Sequence, residues 1–595
     1  MKKLQLRFYV VLLCVCLYLG ASIAGSADMN SSGACTDGAR KCSDDAYSLS
    51  MCEGGTWKTV ECMGGQGKLC ENGACVDPWR YGSPSWQRED SDPLASPTLA
   101  EKARYYEDTI RRLHIHPQLK WVMGVDLPCK PVECVAGQQP PCEDCNDTTI
   151  PEEVATWRDV AEWQTMENDG LFSGLYLAAE AFRYGATKDK EALQMIKLLL
   201  EGEVTRMRIT GVPGLFTRQY IPPGISGMSC PKDLFSYTHD IEKDDNKWVM
   251  IRDDGCIWNV DRKTKEWTRS KRCGLNEFSG WCFLDNVSKD EYSGHMLALG
   301  AVAKLVDDPE VQAVVKDLLY KVAKHLIKNR MAVVDWDGRT TEHGRLYATA
   351  IDDYPGFNAA MGLDFIKIAA EATKDPDIMK FYDDCLLQKA GQWNCLNRLV
   401  EIPIPYSSYL KLNGLYVGEE GCVSNYNNIS MHMLSLQNLI FFERDPFYKE
   451  IYQESLDKHV FRKEGEPRAI MNQNNAFFDF IWASQKKLGP NSDGPAYDAV
   501  KNGVEMLRRF PSRKHDVDVN CPPEKCYPYC TNRFGFPEGN YARKPDERCQ
   551  SIFNWWDDPY SLWNCRLNKR HIQPGTDYLL AYWMGRYYGF IAEDM

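Results

Sequence analysis

The stretch GLFSGLYLAAEAFRYGATKDKEALQMIKLLLEGEVTRMR, residues 170–208, decides the reading of the fold. Its first half, 170–185, carries apolar side chains at helical spacing. The turn Thr187-Lys188-Asp189 interrupts it before a second helical run over 189–208. Two helices joined by so short a polar turn fold back on each other, so the unit is an antiparallel helical hairpin. The pattern recurs: helices are predicted at 290–306 with 309–328, 356–373 with 376–390, 429–442 with 446–462, and 474–487 with 494–509. A last helix, heavy in aromatics, is predicted at 576–589, and an early one at 99–113. Asp307-Asp308-Pro309 and Arg444-Asp445-Pro446 supply turns of the same kind. Hairpins of roughly 30–45 residues in series mean a helical repeat array or a closed ring of hairpins. Between them, MAVVDWDGRTTEHGR, 331–345, reads as a short strand, a tight turn at Asp337-Gly338 and a return.

The chain has 595 residues, 44% of them hydrophobic, and a formal net charge of -13. That charge argues against a nucleic-acid partner and against docking on anionic lipid. Residues 1–25 read as a secretory signal, with Lys2, Lys3 and Arg7 before the apolar run Phe8–Leu19 and Ser22-Ile23-Ala24 as cleavage site. No later apolar run is long enough for a membrane span. Of the 24 cysteines, Cys14 and Cys16 fall in the signal, and the even remainder in an exported chain reads as disulfides. Cys35, Cys42, Cys52, Cys62, Cys70 and Cys75 mark a small Cys-rich module over 30–78, too poor in apolar surface to fold without crosslinks. Residues 79–98 form a Pro- and Gly-bearing linker, 99–150 a helix and Cys-rich connector, and 151–595 the helical domain. Cys142 and Cys145 have no second pair at zinc-ribbon spacing, and Asp335-x-Asp337-Gly338 lacks the rest of a calcium loop. No metal or cofactor is expected. Loop-rich stretches at 222–287 and near the end also carry cysteines and need crosslinks to hold them.

The densest chemistry lies in WCFLDNVSKDEYSGHMLAL, 281–299. Asp290 sits in the first turn of a helix, where the dipole favours a carboxylate. Glu291 and His295, four apart, share one face. Gly294 leaves room for something to approach. Asp169 precedes an earlier helix. As a pair, Asp169 and Asp290 suit general acid and base work, with Glu291 and His295 beside them. Arg218, after a Pro-Gly turn, suits a bidentate carboxylate contact. Trp281 and Trp336 offer flat ring faces to a ligand; His343, Arg345, Asn427 and His432 offer polar contacts. Each also has a plain structural reading: a helix cap for Asp169, a hydrogen-bonded core residue for His295, an ion pair for Arg218 and core packing for the tryptophans.

The segments Glu167–Leu171 running into AAEAFRYGAT, Val212–Arg218, Lys289–His295, Val334–Thr340 and Asp577–Gly589, in that order, resemble secreted bacterial proteins of the six-hairpin glycosidase type. The resemblance covers roughly 150–595 and implies a mainly α fold, an (α/α)6 toroid of helical hairpins. It implies a carbohydrate-active site at the inner helices' ends and a polysaccharide or oligosaccharide partner. A glycoside hydrolase is the leading reading. A polysaccharide lyase using His295 and Tyr292, and a non-catalytic glycan- or protein-binding surface protein, are the alternatives.

Overall fold

The structure is a computed structural model. It describes residues 36–42, 48–61, 69–71, 74–76, 97–135, 138–239, 246–348, 355–389, 395, 398–399, 404–412, 421–423, 425–463, 466, 468–486, 494–516, 521–550, 553–562, 568–593 and 595. The signal expected at 1–25 and nearly all of the linker expected at 79–98 lie outside the described residues. The chain divides into two compact units, one of Met1–Cys62 with Leu69–Val76, the other of Met63–Lys68 with Asp77–Met595.

In the smaller unit, strands Arg40–Cys42, Ser48–Glu53 and Thr56–Glu61 form an antiparallel sheet. Gly54 and Gly55 both take positive φ (59° and 74°) between the last two strands, the geometry a two-residue hairpin needs to match the strand twist. Cys52 there is disulfide-bonded.

The larger unit is mainly helical. Besides the single turn Tyr406–Tyr409, its helices are α1 (Leu99–Thr109), α2 (Asp169–Thr187), α3 (Lys190–Arg208), α4 (Lys289–Leu305), α5 (Pro309–Lys328) and α6 (Pro355–Thr373). They continue as α7 (Pro376–Phe381), α8 (Tyr426–Phe442), α9 (Pro446–Glu454), α10 (Ala476–Ala483), α11 (Pro495–Arg509) and α12 (Thr576–Tyr587). Helices α2, α4, α6, α8, α10 and α12 are buried on nearly every face, as helices apolar all round must be. Helix α2 packs on α4, α4 on α6, α6 on α8, α8 on α10, α10 on α12, and α12 back on α2. Each is backed by a neighbour with one apolar face: α3 behind α2, α5 behind α4, α7 behind α6, α9 behind α8, α11 behind α10 and α1 behind α12.

The turns explain themselves chemically. Asp189, Asp308, Asp375 and Asp445 each cap the helix that follows, accepting from backbone N–H groups of its first turn. Three of them precede a proline, whose fixed φ suits the first helical position. The hydrophobic periodicity of α1, α7 and α9 runs past their ends into π-helical turns, Ile110–His114, Tyr382–Leu386 and Ser455–Phe461.

The loop-rich stretch 222–287 also contributes most of a sheet of short strands. Its strands are β1 (Gln219–Ile221), β2 (Thr238–His239), β3 (Trp248–Ile251), β4 (Ile257–Asp261), β5 (Trp267–Arg269) and β6 (Cys282–Leu284). They lie in the order β1-β6-β3-β4-β2, with β5 on β4. Strands of two to five residues are too short to show alternation in a sequence, and Cys230–Cys282 and Cys256–Cys273 tie the sheet together. The expected hairpin at 331–345 is present as β7 (Ala332–Val334) paired with β8 (Thr340–Arg345). Seven disulfides lie among the described residues, the others being Cys129–Cys145, Cys134–Cys142, Cys385–Cys395, Cys422–Cys530 and Cys521–Cys526. Among the described residues, no helix is long and apolar enough to cross a membrane.

Candidate active site

Glycines bring α2 and α4 into backbone contact. A Cβ on Gly174 would lie 2.7 Å from the Gly294 carbonyl oxygen, and one on Gly294 would lie 2.6 Å from Leu171 Cα. What Gly294 admits is therefore a helix backbone. At the same crossing, Gly170 leaves the space filled by Glu291 and His295: a Cβ there would meet Glu291 Oε1 at 2.3 Å and His295 Nε2 at 2.7 Å. Glu291 Oε1 accepts from Gly170 N at 2.7 Å, so Glu291 serves the open N-terminus of α2. His295 stacks on Phe216 with centroids 4.3 Å apart, and its Nδ1 lies 2.6 Å from Glu203 Oε2. Asp169 turns back to accept from Met166 N at 3.0 Å.

These groups have almost no surface. Glu291 and His295 are 0% exposed and Asp169 is 3% exposed. Arg206, also fully buried, lies over Trp121, 4.0 Å from the ring centre. Arg218 is spent within the protein, donating to Asn286 O, Glu167 O and Asn168 Oδ1 at 2.9–3.1 Å. Burial pushes the Asp169 carboxyl well above the usual carboxylate range, and the nearby Glu291 charge adds to this. Burial likewise pushes Glu291 up to about 6, against the pull of His295, Arg206 and Arg218. The folded protein thus holds the Glu291 proton more tightly than the unfolded chain, where it titrates near 4.5. Stability from this group is greatest below pH 4.5 and falls by about 2 kcal/mol as pH rises through 6. Glu291→Gln keeps an acceptor for Gly170 N and removes the titration. Unfolding midpoints across pH 4–8 should therefore lose less stability with rising pH in this variant than in wild type; parallel curves would refute the assignment.

The other expected contact residues are scattered. Trp336 is buried and donates to Asp285 Oδ2 at 3.1 Å, where His239 Nε2 also binds at 2.5 Å. Trp281, half-buried, stacks on Tyr220. His343 is exposed, 3.8 Å from Glu342, and Arg345 is half-buried on β8. His432 is fully buried, which pushes its imidazole down to about 3.

Asp290 stands apart. Its backbone follows the Ser288 cap of α4, and its side chain is half-buried. Asn427, in the first turn of α8, donates from Nδ2 to Asp290 Oδ2 at 2.7 Å. Trp556 Nε1 donates in turn to Asn427 Oδ1 at 2.6 Å. All three are half-buried, so the starts of α4 and α8, which also pack directly on each other, and the 553–562 segment present one acid, one amide and one indole together. Phe172 of α2 packs on Phe553 of the same segment, centroids 5.4 Å apart. Tyr426, beside Asn427, lies 6.3 Å from the Tyr560 ring and interacts with Asp558. Asp558 is half-buried. Burial, a hydrogen bond with Glu538 and the Glu538 charge push its carboxyl up to about 8. Its carboxyl therefore keeps its proton to higher pH than an ordinary carboxylate does. Asp558 was not among the residues singled out in the sequence; Trp555-Trp556-Asp557-Asp558-Pro559, two aromatics and two acids ahead of the last helix, is the signal that marks it.

Among the described residues, two groups of Cys and acidic side chains lie close enough to share a cation: Cys129, Glu143 and Cys145, and Cys422, Cys530 and Glu538. In both, the sulfurs are joined as disulfides. No family model matches the chain, and no curated protein matches it. Among solved structures, the chain is similar to the cellulase Cel9M of C. cellulolyticum, with 13% identity and a TM-score of 0.33 over 82% of this chain and 97% of that one.

Proposed function

We propose that residues 151–595, closed by α1, form an (α/α)6 toroid. The chain is then an exported carbohydrate-active protein that hydrolyses a polysaccharide or oligosaccharide. The cyclic order of contacts among α2, α4, α6, α8, α10 and α12, each backed by an outer helix, supports the toroid. The disulfides support an oxidising, extracellular setting. The observation that carries the function is the chain Asp290–Asn427–Trp556 where two inner helices begin. A carboxylate held in place by an amide, beside an indole, is suited to bind a sugar ring and activate a water. Asp290 is the base of this reading, and Asp558 is the acid that protonates the leaving oxygen. Asp169, Glu291 and His295 act as positioning residues, fixing α2 against α4 so that the first turn of α4 is rigid. A lyase is less well supported: Tyr292, like His295, is 0% exposed, and its hydroxyl donates to Gly214 O at 2.7 Å.

The test is reducing-sugar release from acidic and neutral polysaccharides, with ultraviolet absorbance followed for unsaturated uronide, using wild type and Asp290→Asn. Release without absorbance, lost in the variant, is the expected result. Absorbance rising with release would replace hydrolysis by elimination, and binding without any turnover would make the chain a glycan-binding protein. The pH profile is a separate prediction. Because Asp558 must be protonated, kcat/KM should fall as pH rises through about 8, and Asp558→Asn should remove that limb along with most of the activity. A profile still rising above pH 9 would exclude Asp558 as the acid.

A further inference from the structure

Five residues before Asp290, separate parts of the larger unit meet at one carboxylate. Asp285 follows β6 and is buried. Its Oδ2 accepts from His239 Nε2, on β2, and from Trp336 Nε1, in the turn between β7 and β8. Its Oδ1 accepts from Lys247 N at 2.8 Å, just before β3, and Asp285 N donates to Lys247 O at 2.9 Å. The His239 and Trp336 rings meet edge to face, centroids 5.6 Å apart. The second ring nitrogen of His239, Nδ1, lies 3.2 Å from Tyr237 O. Both nitrogens face oxygens that can only accept, the arrangement of an imidazolium rather than of either neutral tautomer.

The chain between Asp285 and Asp290 is held along its length. Asn286 takes a left-handed φ of +56°, a conformation that Asn tolerates better than most side chains. Asn286 N donates to Asp335 Oδ2 at 2.7 Å, Asn286 O accepts from Arg218 Nε at 3.0 Å, and Asn286 Oδ1 accepts from Glu342 N at 2.9 Å. Val287 is buried, Ser288 caps α4, and the buried Lys289 donates to Asn358 Oδ1 at 2.9 Å. Asp290 comes next.

We propose that His239 is a positioning residue for Asp290: its imidazolium closes a clasp on Asp285, and loss of its proton loosens the turn that delivers the first residues of α4. The inference rests on the reading of Asp290 as the base. Burial pulls the imidazole down, but the Asp285 charge and hydrogen bond outweigh it, against the opposing charge of Arg339, and hold it above its ordinary 6.5. Stability from the clasp is therefore complete below pH 6.5 and is lost as pH rises through the higher folded value. The other charged groups around Asp285 are Asp335, pushed up by burial and the Asp285 charge; Arg339, 3.8 Å from Asp285 Oδ2; and Asp337, which pairs with Arg339. The Lys247 ammonium lies over the Phe235 ring.

The experiment compares the full chain with the same chain carrying His239→Gln, whose amide keeps an N–H donor for Asp285 and does not titrate. Deuterium exchange at His239 Cε1, read by mass spectrometry across pH 5–9, gives its titration. Exchange at the backbone amides of 285–291, corrected for its intrinsic pH dependence, gives the tightness of the turn. The expected result is a His239 midpoint above 6.5. Amide protection should fall ~10-fold through that midpoint in wild type and not in His239→Gln. Asp335 titrates in both proteins, so a change common to the two belongs to it. A midpoint at or below 6.5, or protection that falls equally in both proteins, would overturn the clasp. On the polysaccharide panel, the ratio of kcat for His239→Gln over wild type should rise with pH through the same midpoint, since the Asp558 limb is common to both and cancels. A flat ratio would overturn the link to Asp290. Turnover unaltered by Asp290→Asn would instead overturn the catalytic reading, and the exchange measurement, which needs no substrate, would still decide the clasp.

Discussion

Asp290→Asn should reduce turnover by ~100-fold or more without loosening the fold. The substitution keeps the shape of the side chain, and Asn can present its amide oxygen to the Asn427 Nδ2 that now donates to Asp290 Oδ2. Only the charge and the ability to take a proton disappear. Asp290 is half-buried and Asn has nearly its volume, so the unfolding midpoint should stay within a degree or two of wild type. The Asn427→Ala variant distinguishes a positioned base from a bystander. It leaves the carboxylate in place but removes its tether and the acceptor for Trp556 Nε1. A smaller loss of kcat than in Asp290→Asn is expected there. If Asp290→Asn turns over substrate at the wild-type rate, the site lies elsewhere.

The largest effect on stability is expected from Gly294→Ala. The added Cβ would come within 2.6 Å of both Leu171 Cα and Leu171 O, and 2.9 Å of Leu171 C. These are backbone atoms inside α2 and cannot swing away as a side chain would. Alanine gains about 1 kcal/mol over glycine in helix propensity, but overpacking of this kind costs ~3 kcal/mol or more, so a net loss of about 2 kcal/mol or more is expected. Gly300→Ala in the same helix is the control. The nearest atoms to its Cβ would be side-chain ends, Asn438 Oδ1 and Ile368 Cδ1, at 3.2 Å, which need give by only a few tenths of an ångström. It has the same propensity gain and should be close to neutral. Denaturant midpoints decide between them, and equal shifts would mean that the crossing does not govern stability.

The helical hairpins were legible because their apolar faces repeat for many turns and their ends are marked by Asp, Asp-Pro or a polar turn. The predicted span 309–328 and helix α5 coincide, and 356–373 differs from α6 by one residue. The sheet of β1–β6 was not legible, since its pairings join residues dozens apart through very short strands. In the site, Asp290 and Asn427 could be picked out as helix-start polar residues, but not that they would touch. Burial separated Glu291 and His295 from Asp290, although Glu291 is the next residue. A one-residue step on a helix turns a side chain by about 100°, here from the half-buried Asn427 contact to the buried Gly170 contact. The close approach itself had a visible mark in Gly170-x-x-x-Gly174, small residues one turn apart on a single helix face.

Helix α1 lies against α12, Tyr578 donates its hydroxyl to Leu99 O at 2.7 Å, and Ala100 N donates to Met595 O at 3.1 Å. The last helical pair is therefore assembled from opposite ends of the domain. During synthesis, α1 emerges first among these helices and must keep its apolar face unsatisfied until nearly every other residue has been made. Closure is an event of very long sequence separation, with the slow search that such contacts impose. A nascent chain halted before α12 would hold five finished pairs and one orphaned helix, a natural target for a holding chaperone.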